Sequence, residues 1–269
     1  METELRGKKA LITGGASGIG LGIATVLAEE GVDLAIASRN PDAAVIEELK
    51  QKAIRCVAIQ ADVSQEPQVE AMVAKAISEL GHLDFYINNA AWTWHQPITK
   101  IDSESWYKTI NTNLSACVWA CREVCRHMIA RGGGSIVIIG STARLTTSYR
   151  EAAYRISKTA LHILMENLAI EMAPYGIRVN MVTPGHFLTR LTGNVPPEIE
   201  RKMLELIPAH RFGKTTEIGY AVAMLLSDRL SGYTTGADLV IDGGLTLNPL
   251  PLYSEEEIRN MNLGEGTKE

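Results

Sequence analysis

The sequence predicts an α/β fold: a doubly wound, seven-stranded parallel sheet with helices on both faces, forming a single domain. Three observations carry that prediction. Short apolar runs rich in β-branched residues alternate with longer helix-patterned segments, the order expected of βαβ units. Runs such as Ile136-Val137-Ile138-Ile139 are apolar without alternation, as strands covered on both faces are. A glycine-rich turn, Gly14-Gly15-Ala16-Ser17-Gly18-Ile19-Gly20, stands between the first such run and the first helical pattern.

In chain order, strands are expected at 10–13, 34–38, 57–60, 85–88, 136–139, 179–183 and 239–241. Helical patterns fill 19–30, 68–80, 106–130, 152–172 and 217–226, and Asp42 after Pro41 reads as a further helix start. Residues 1–247 form the domain. The irregular stretch 185–213 follows the carboxyl end of a strand, where open parallel sheets build their ligand sites, so it is the expected substrate lid. The tail, 248–269, carries Ser254 and Glu257 at capping-box spacing. It reads either as a short helix over a neighbour's site or as a solvated acidic end.

Composition narrows the function. A chain of 269 residues, 46% hydrophobic and 21% charged, is an ordinary globular protein and not a disordered one. With 26 Lys and Arg scattered against 31 Asp and Glu, there is no basic patch for nucleic acid. No apolar run approaches the ~18 residues that span a bilayer, so no membrane association is expected. The start, Met1 to Gly7, is charged and leads directly into Lys9-Ala10-Leu11, without an apolar segment and cleavage site. Cys117, Cys121 and Cys125 stack along one helical face without zinc-ligand spacing; with Cys56 they read as buried thiols in a reduced, cytoplasmic protein. No metal site is expected among the six scattered histidines.

The turn Thr13 to Gly20 allows a sharp bend and lets a pyrophosphate approach the backbone at the positive end of a helix dipole. It departs from plain GxGxxG, because residue 23 is Ile23. Structural turns use the same residues, so the strand before it and the helix after it supply the specificity. About twenty residues on, a carboxylate would select NAD and an arginine NADP. The chain has Ser38-Arg39-Asn40 there. A guanidinium can fork onto a 2′-phosphate and Ser38 can add a hydrogen bond, so the expected cofactor is NADP(H).

Tyr154-Arg155-Ile156-Ser157-Lys158 places a phenol and an ammonium one helical turn apart, and Ser141 stands thirteen residues upstream, just beyond an apolar strand. Free tyrosine, with a pKa of ~10, is a poor base near neutrality. A cation ~4 Å away is worth up to ~4 kcal/mol at a dielectric of ~20, or roughly three pKa units. Lys158 and a positively charged nicotinamide are therefore expected to bring Tyr154 into the useful range, with Ser141 holding the substrate oxygen.

On these motifs the sequence resembles the short-chain dehydrogenase/reductases of about 250 residues, from Lys8 to Gly244. The TGxxxGxG turn is matched by Thr13, Gly14, Gly18 and Gly20, and the NNAG segment appears as Asn88-Asn89-Ala90-Ala91, with alanine in place of glycine. The resemblance implies a Rossmann-type fold and hydride transfer between NADP(H) and a ketone, aldehyde or secondary alcohol. It implies that Asp62 and Val63 meet the adenine and that Asn89 and Ala90 line the cofactor. Pro184 and Gly185 then flank the nicotinamide, with Phe187 and Thr189 against its amide and phosphates. Ser141, Tyr154 and Lys158 become the catalytic set, with Lys158 also on the nicotinamide ribose. Asn113, in the pair Asn113-Leu114, supports a proton-relay water through its backbone carbonyl.

Trp92, Trp94, His95 and His186 are candidates to line a substrate pocket that suits a sugar or polyol, a steroid or a cyclic ketone. The stretch 207–213 is similar to the matching region of 3-oxoacyl-(carrier protein) reductases. Those members carry a docking base on the tyrosine helix where this chain has Ile170, so a free small molecule ranks above a carrier thioester. The resemblance also implies a homotetramer or homodimer through helices 106–130 and 152–172, with the cysteine stripe at that contact. A non-catalytic NADP sensor would keep the glycine turn but need not keep Asn113, Ser141, Tyr154 and Lys158 together.

Overall fold

Because the carboxyl ends of the strands build the site, the order in which the strands lie decides its position. In the computed structural model, which describes residues 2–187, 189 and 196–248, the chain begins β1 (Lys9–Thr13), α1 (Gly18–Glu29), β2 (Asp33–Ser38), α2 (Ala43–Lys50), β3 (Cys56–Gln60). It continues α3 (Glu66–Leu80), β4 (Phe85–Asn88), α4 (Ser103–Ile110), α5 (Ala116–Arg131), β5 (Gly134–Ile139), α6 (Ala152–Met172) and β6 (Ile177–Pro184). The last elements are α7 (Pro197–Leu206), α8 (Thr215–Leu226), the short α9 (Asp228–Ser231) and β7 (Asp238–Ile241). The sheet has seven parallel strands in the order β3-β2-β1-β4-β5-β6-β7. The chain winds outward from β1 to β3 and then returns to place β4 on the other side of β1. That reversal opens a crevice above the carboxyl ends of β1 and β4, where such sheets bind ligands.

Apolar runs become strands here because both faces are covered. All eight residues of β6 are buried, as are all four of β4. One core cluster joins α3, α5 and α6 to one face of the sheet; the other joins α1, α2 and α8 to the opposite face. Glycine permits the close crossing of α1 and α8: a Cβ on Gly22 would lie 2.5 Å from Thr215, and one on Gly219 2.6 Å from Val26.

Three expectations are corrected. The helix expected over 106–130 is two helices joined by a π turn, Asn111–Ser115, in which the Ala116 amide reaches back to the Asn111 carbonyl. Its first part starts early because the Asp102 carboxylate accepts the Ser105 amide at 2.7 Å and caps α4. The stretch 185–213 is not wholly irregular, since α7 lies inside it; no residue of α7 is buried, so no core-facing stripe announced it. The cysteine stripe is not at a subunit contact: Cys117, Cys121 and Cys125 lie within the subunit's own core, packed between α5 and the sheet. Asp42 does cap α2, accepting the Ala44 amide at 2.9 Å. The lid residues 188 and 190–195, and the tail from 249 onward with Ser254 and Glu257, lie outside the described residues. Among the described residues no helix is long and apolar enough to cross a membrane.

Candidate active site

The glycine turn is held from the β4 side. Thr13 Oγ1 accepts the amides of Asn89 (3.0 Å) and Ala90 (3.1 Å), and Asn89 Nδ2 donates to the carbonyls of Thr13 (2.9 Å) and Gly14 (3.2 Å). Gly14 (φ 67°) and Gly18 (φ 54°) take the left-handed conformation that side chains resist. A Cβ on Gly14 would also sit 2.9 Å from Asn89 Nδ2. Ser17 caps α1 with no side-chain hydrogen bond to the helix, and Ile19 packs partly buried behind the turn. Thr189 reaches over from the lid, 3.5 Å from where a Gly18 side chain would begin. The result is a rigid backbone cradle at a helix N-terminus.

At the end of β2, Ser38 pairs in register with Gln60 of β3, and Gln60 Nε2 donates to the Arg39 carbonyl at 3.1 Å. The Ser38 hydroxyl is buried and finds no hydrogen-bond partner among the described residues, while Arg39 and Asn40 are exposed. Beside them opens a cleft of about 410 Å³ lined by Arg39, Gln60, Asp62 and Gln68. The Asp62 carboxylate holds its own turn, accepting from the Ser64 amide (3.0 Å) and hydroxyl (2.8 Å), and Val63 is buried behind it. Gln60 and Gln68 were not legible as site residues; pairing of residue 60 with residue 38 across the sheet was the available signal.

Ser141 follows β5 and caps a short 3-10 turn, accepting the Ala143 amide at 3.1 Å. Tyr154 lies in the first turn of α6, and the Ser141 hydroxyl is near enough to act on its phenol. Burial pushes the phenol above its ordinary value of 10, opposed by the Ser141 hydroxyl; Glu151 adds to the rise and Arg155 works against it. Lys158 is 2% exposed, and its Nζ donates to the Ile139 carbonyl at 2.9 Å, 5.9 Å from the Tyr154 ring centre. Burial pulls its pKa from 10.5 down to about 8. Here the Lys158 ammonium is turned to a backbone carbonyl, and desolvation is the leading cause of the shift at both groups.

Asn113 sits in the π turn, and its side chain, rather than its backbone alone, does visible work. Oδ1 accepts the Trp92 amide (2.8 Å), while Nδ2 donates to the Trp92 carbonyl (3.0 Å) and to Ser157 Oγ (3.0 Å). It thus ties the segment after β4 to α6 beside Tyr154. Trp92 and Trp94 stack at 6.1 Å with planes 6° apart, and Lys108 lies over Trp92 at 4.7 Å. Trp94 is 54% exposed and forms one wall of a narrow crevice with Arg150, Ala152 and Ala153. On the other side Pro184 ends β6, and the Gly185 amide bonds the Ile241 carbonyl at 2.9 Å, so closely that a Cβ there would meet Asp242 at 2.7 Å. His186 packs edge-on against Phe212, and its burial favours the neutral imidazole; Phe187 is buried beside Gly213. Among the described residues no group of three or more His, Cys, Asp or Glu is placed to hold a metal ion.

A backbone cradle at a switch point, beside a serine, a tyrosine and a buried lysine, is the architecture of a nicotinamide-dependent oxidoreductase. The family model described as Enoyl-(Acyl carrier protein) reductase matches residues 14–246. The 3-oxoacyl-(acyl-carrier-protein) reductase of Staphylococcus aureus is 34% identical over 241 residues, covering 88% of this chain and 98% of its own. A short-chain type dehydrogenase/reductase from Mycobacterium marinum superimposes with a TM-score of 0.85 at 33% identity, over 91% of this chain and 98% of that one. A 7α-hydroxysteroid dehydrogenase, solved with NADH and 7-oxo glycochenodeoxycholic acid, gives 0.86 at 32%, over 90% and 96%. The chain belongs to the short-chain dehydrogenase/reductase family. It is an oxidoreductase acting on CH–OH or carbonyl groups with a nicotinamide cofactor.

Proposed function

We propose that this enzyme uses NADP(H) to interconvert a ketone or aldehyde with a secondary alcohol on a small free molecule: a sugar or polyol, a steroid or a cyclic ketone. The observation that carries the reading is the junction of Ser141, Tyr154, Lys158 and the Asn113 network at the crevice mouth. The residues fit the cofactor. Gly14, Ser17, Gly18, Ile19 and Gly20 offer the pyrophosphate a helix N-terminus. The unsatisfied Ser38 hydroxyl, Arg39 and Asn40 suit a 2′-phosphate, and the adjoining cleft with Asp62 and Val63 suits adenine. Asn89, Ala90, Pro184, Gly185, Phe187 and Thr189 would line the nicotinamide half, with Tyr154 and Lys158 on its ribose.

The bound nicotinamide supplies or accepts the hydride. Tyr154 Oη gives the proton to the substrate oxygen on reduction and takes it back on oxidation. Ser141 Oγ, which acts on that phenol, holds the same oxygen. Lys158, mostly protonated near neutrality at a pKa of about 8, stabilises the phenolate that forms. Trp92, Trp94 and His186 would line the substrate pocket.

A carrier-linked 3-oxoacyl thioester is the second reading, favoured by the Staphylococcus aureus relative. Ile170, 77% exposed on α6, offers an acidic carrier no charge, which supports the free substrate. The enzyme is further read as a homodimer or homotetramer through α5 and α6. Tyr154→Phe tests the chemistry: reduction of probe ketones by NADPH should fall by at least ~100-fold with NADPH binding retained. Undiminished turnover would remove Tyr154 as the proton donor. Sugars, polyols, steroids, diketones and acyl thioesters, screened by NADPH absorbance, separate the two substrate readings.

A further inference from the structure

Ser141 and Tyr154 sit on different elements. The segment between them is tied at its far end, where the Arg150 carbonyl accepts the Gln96 amide (2.9 Å) and Arg150 Nη2 donates to the His95 carbonyl (3.1 Å). That leaves a gap between its near end and α6. Leu145 is 44% and Tyr149 93% exposed, and Arg150 holds a left-handed φ of 66°. The residue next to Tyr154 bridges that gap. Arg155 Nη1 donates to the Ala143 carbonyl at 2.9 Å, to the Thr146 carbonyl, and to Thr146 Oγ1 at 3.1 Å. Its Nε (2.9 Å) and Nη2 (2.8 Å) take Glu151 Oε2, one turn earlier on α6. The far side of the same 3-10 turn is pinned by Arg144 to Asp238 of β7, whose other oxygen accepts Thr183 Oγ1 at 2.6 Å.

We infer that Arg155 is a positioning residue: its guanidinium braces the Ser141-bearing loop against the Tyr154 helix and so sets the serine–tyrosine distance that proton exchange requires. The inference rests on the roles proposed above for Ser141 and Tyr154. A planar fork is needed, because the acceptors lie in two directions, loop and carboxylate; a lysine ammonium cannot serve both with the same geometry. Glu151 and Arg155 act on the phenol in opposite senses, Glu151 raising its pKa and Arg155 lowering it. The other groups near this spot include Lys158 on the same helix, the Ser141 hydroxyl just beyond β5, His95 at 3.6 Å from Glu151, the buried His186, and the Arg144–Asp238 pair on the far side of the 3-10 turn.

The test compares R155Q, R155K and E151Q in the full-length enzyme. Amide hydrogen exchange across 142–146 should accelerate severalfold in R155Q and less in R155K, and stay near wild type in E151Q, where the contacts to Ala143 and Thr146 persist. With NADPH and a cyclic 1,2-diketone as probe, kcat in R155Q should fall about 10- to 100-fold while NADPH affinity is unchanged, the cost of a misplaced reacting group. The pH profile of kcat should move to higher pH in R155Q and to lower pH in E151Q, shifts that a purely structural role would not produce. Unchanged exchange in R155Q overturns the brace, as does faster exchange with unaltered kcat and pH profile. If R155Q is obtained only unfolded, R155K carries the same comparison. Wild-type enzyme that reduces none of the probes, or a Tyr154→Phe variant that keeps turnover, counts against the proposed function; the exchange measurement decides the brace in either case.

Discussion

Lys158 is the residue at which stability and chemistry are most plainly opposed. Its ammonium is 2% exposed with one backbone carbonyl as partner, and its pKa drops from 10.5 to about 8. At ~1.4 kcal/mol per unit, holding that charge inside the fold costs about 3 kcal/mol. The sign follows from proton counting. Between about pH 8 and 10.5 the unfolded chain binds more protons than the folded one, so stability rises with pH across that window; below it the penalty is present in full. Replacing Lys158 by Met removes the charge and loses one hydrogen bond of about 1 kcal/mol, leaving a gain of about 2 kcal/mol. K158M should therefore melt about 4–8 °C above wild type at pH 7, with the difference shrinking towards pH 10.5, while turnover is lost. Calorimetry at both pH values checks it; a variant less stable than wild type at pH 7 would mean that Lys158 is structural.

The ends of β2 and β3 show how two elements make one specificity site. Ser38 and Gln60 face each other only because the strands pair in that register, and the cleft beside them opens where both strands stop. Arg39→Ala should weaken NADPH far more than NADH, because on the proposed reading the guanidinium would meet the 2′-phosphate that only NADPH carries. Titration by cofactor fluorescence reads this directly, and equal losses for both cofactors would refute the assignment. The strands were legible because burial on both faces leaves an unbroken apolar run, which β2 (residues 34–37) and β5 (residues 136–139) carry most plainly. What was not legible lacked that signature. α7 buries nothing, and the π turn differs from an α-helix by one hydrogen-bond register around Asn111–Ser115, which no side-chain period records. The Tyr154 and Lys158 spacing was readable because it lies within one helix. The Arg155 contacts to Ala143 and Thr146 were not, because they join a loop and a helix that only the fold brings together.

For the molecule as a whole, both layers of helices leave apolar side chains outside, Tyr220 and Met224 of α8 among them, but α6 carries a regular row. The layer of α3, α5 and α6 leaves apolar side chains outside: Ile156, Ile163 and Ile170 on α6 are 49%, 55% and 77% exposed, with Val118 and Ile129 of α5 43% and 38% exposed. A seven-residue spacing is two helical turns, so the three isoleucines form one stripe along α6, and soluble monomers rarely leave such a stripe in water. Covering what each isoleucine still exposes is worth roughly 1–2 kcal/mol, a favourable contribution in sum to association of two copies. The proposed assembly therefore predicts that light scattering on the full-length protein gives a multiple of the chain mass. Ile163→Glu, at the middle of the stripe, would place a carboxylate in the contact without a partner and should shift the population to monomer with its circular dichroism unchanged. Because Tyr154 lies on the same helix one turn from Lys158, loosening α6 in that monomer should also lower kcat. A wild-type chain that scatters as a monomer, or an Ile163→Glu variant that stays assembled, would place the contact elsewhere.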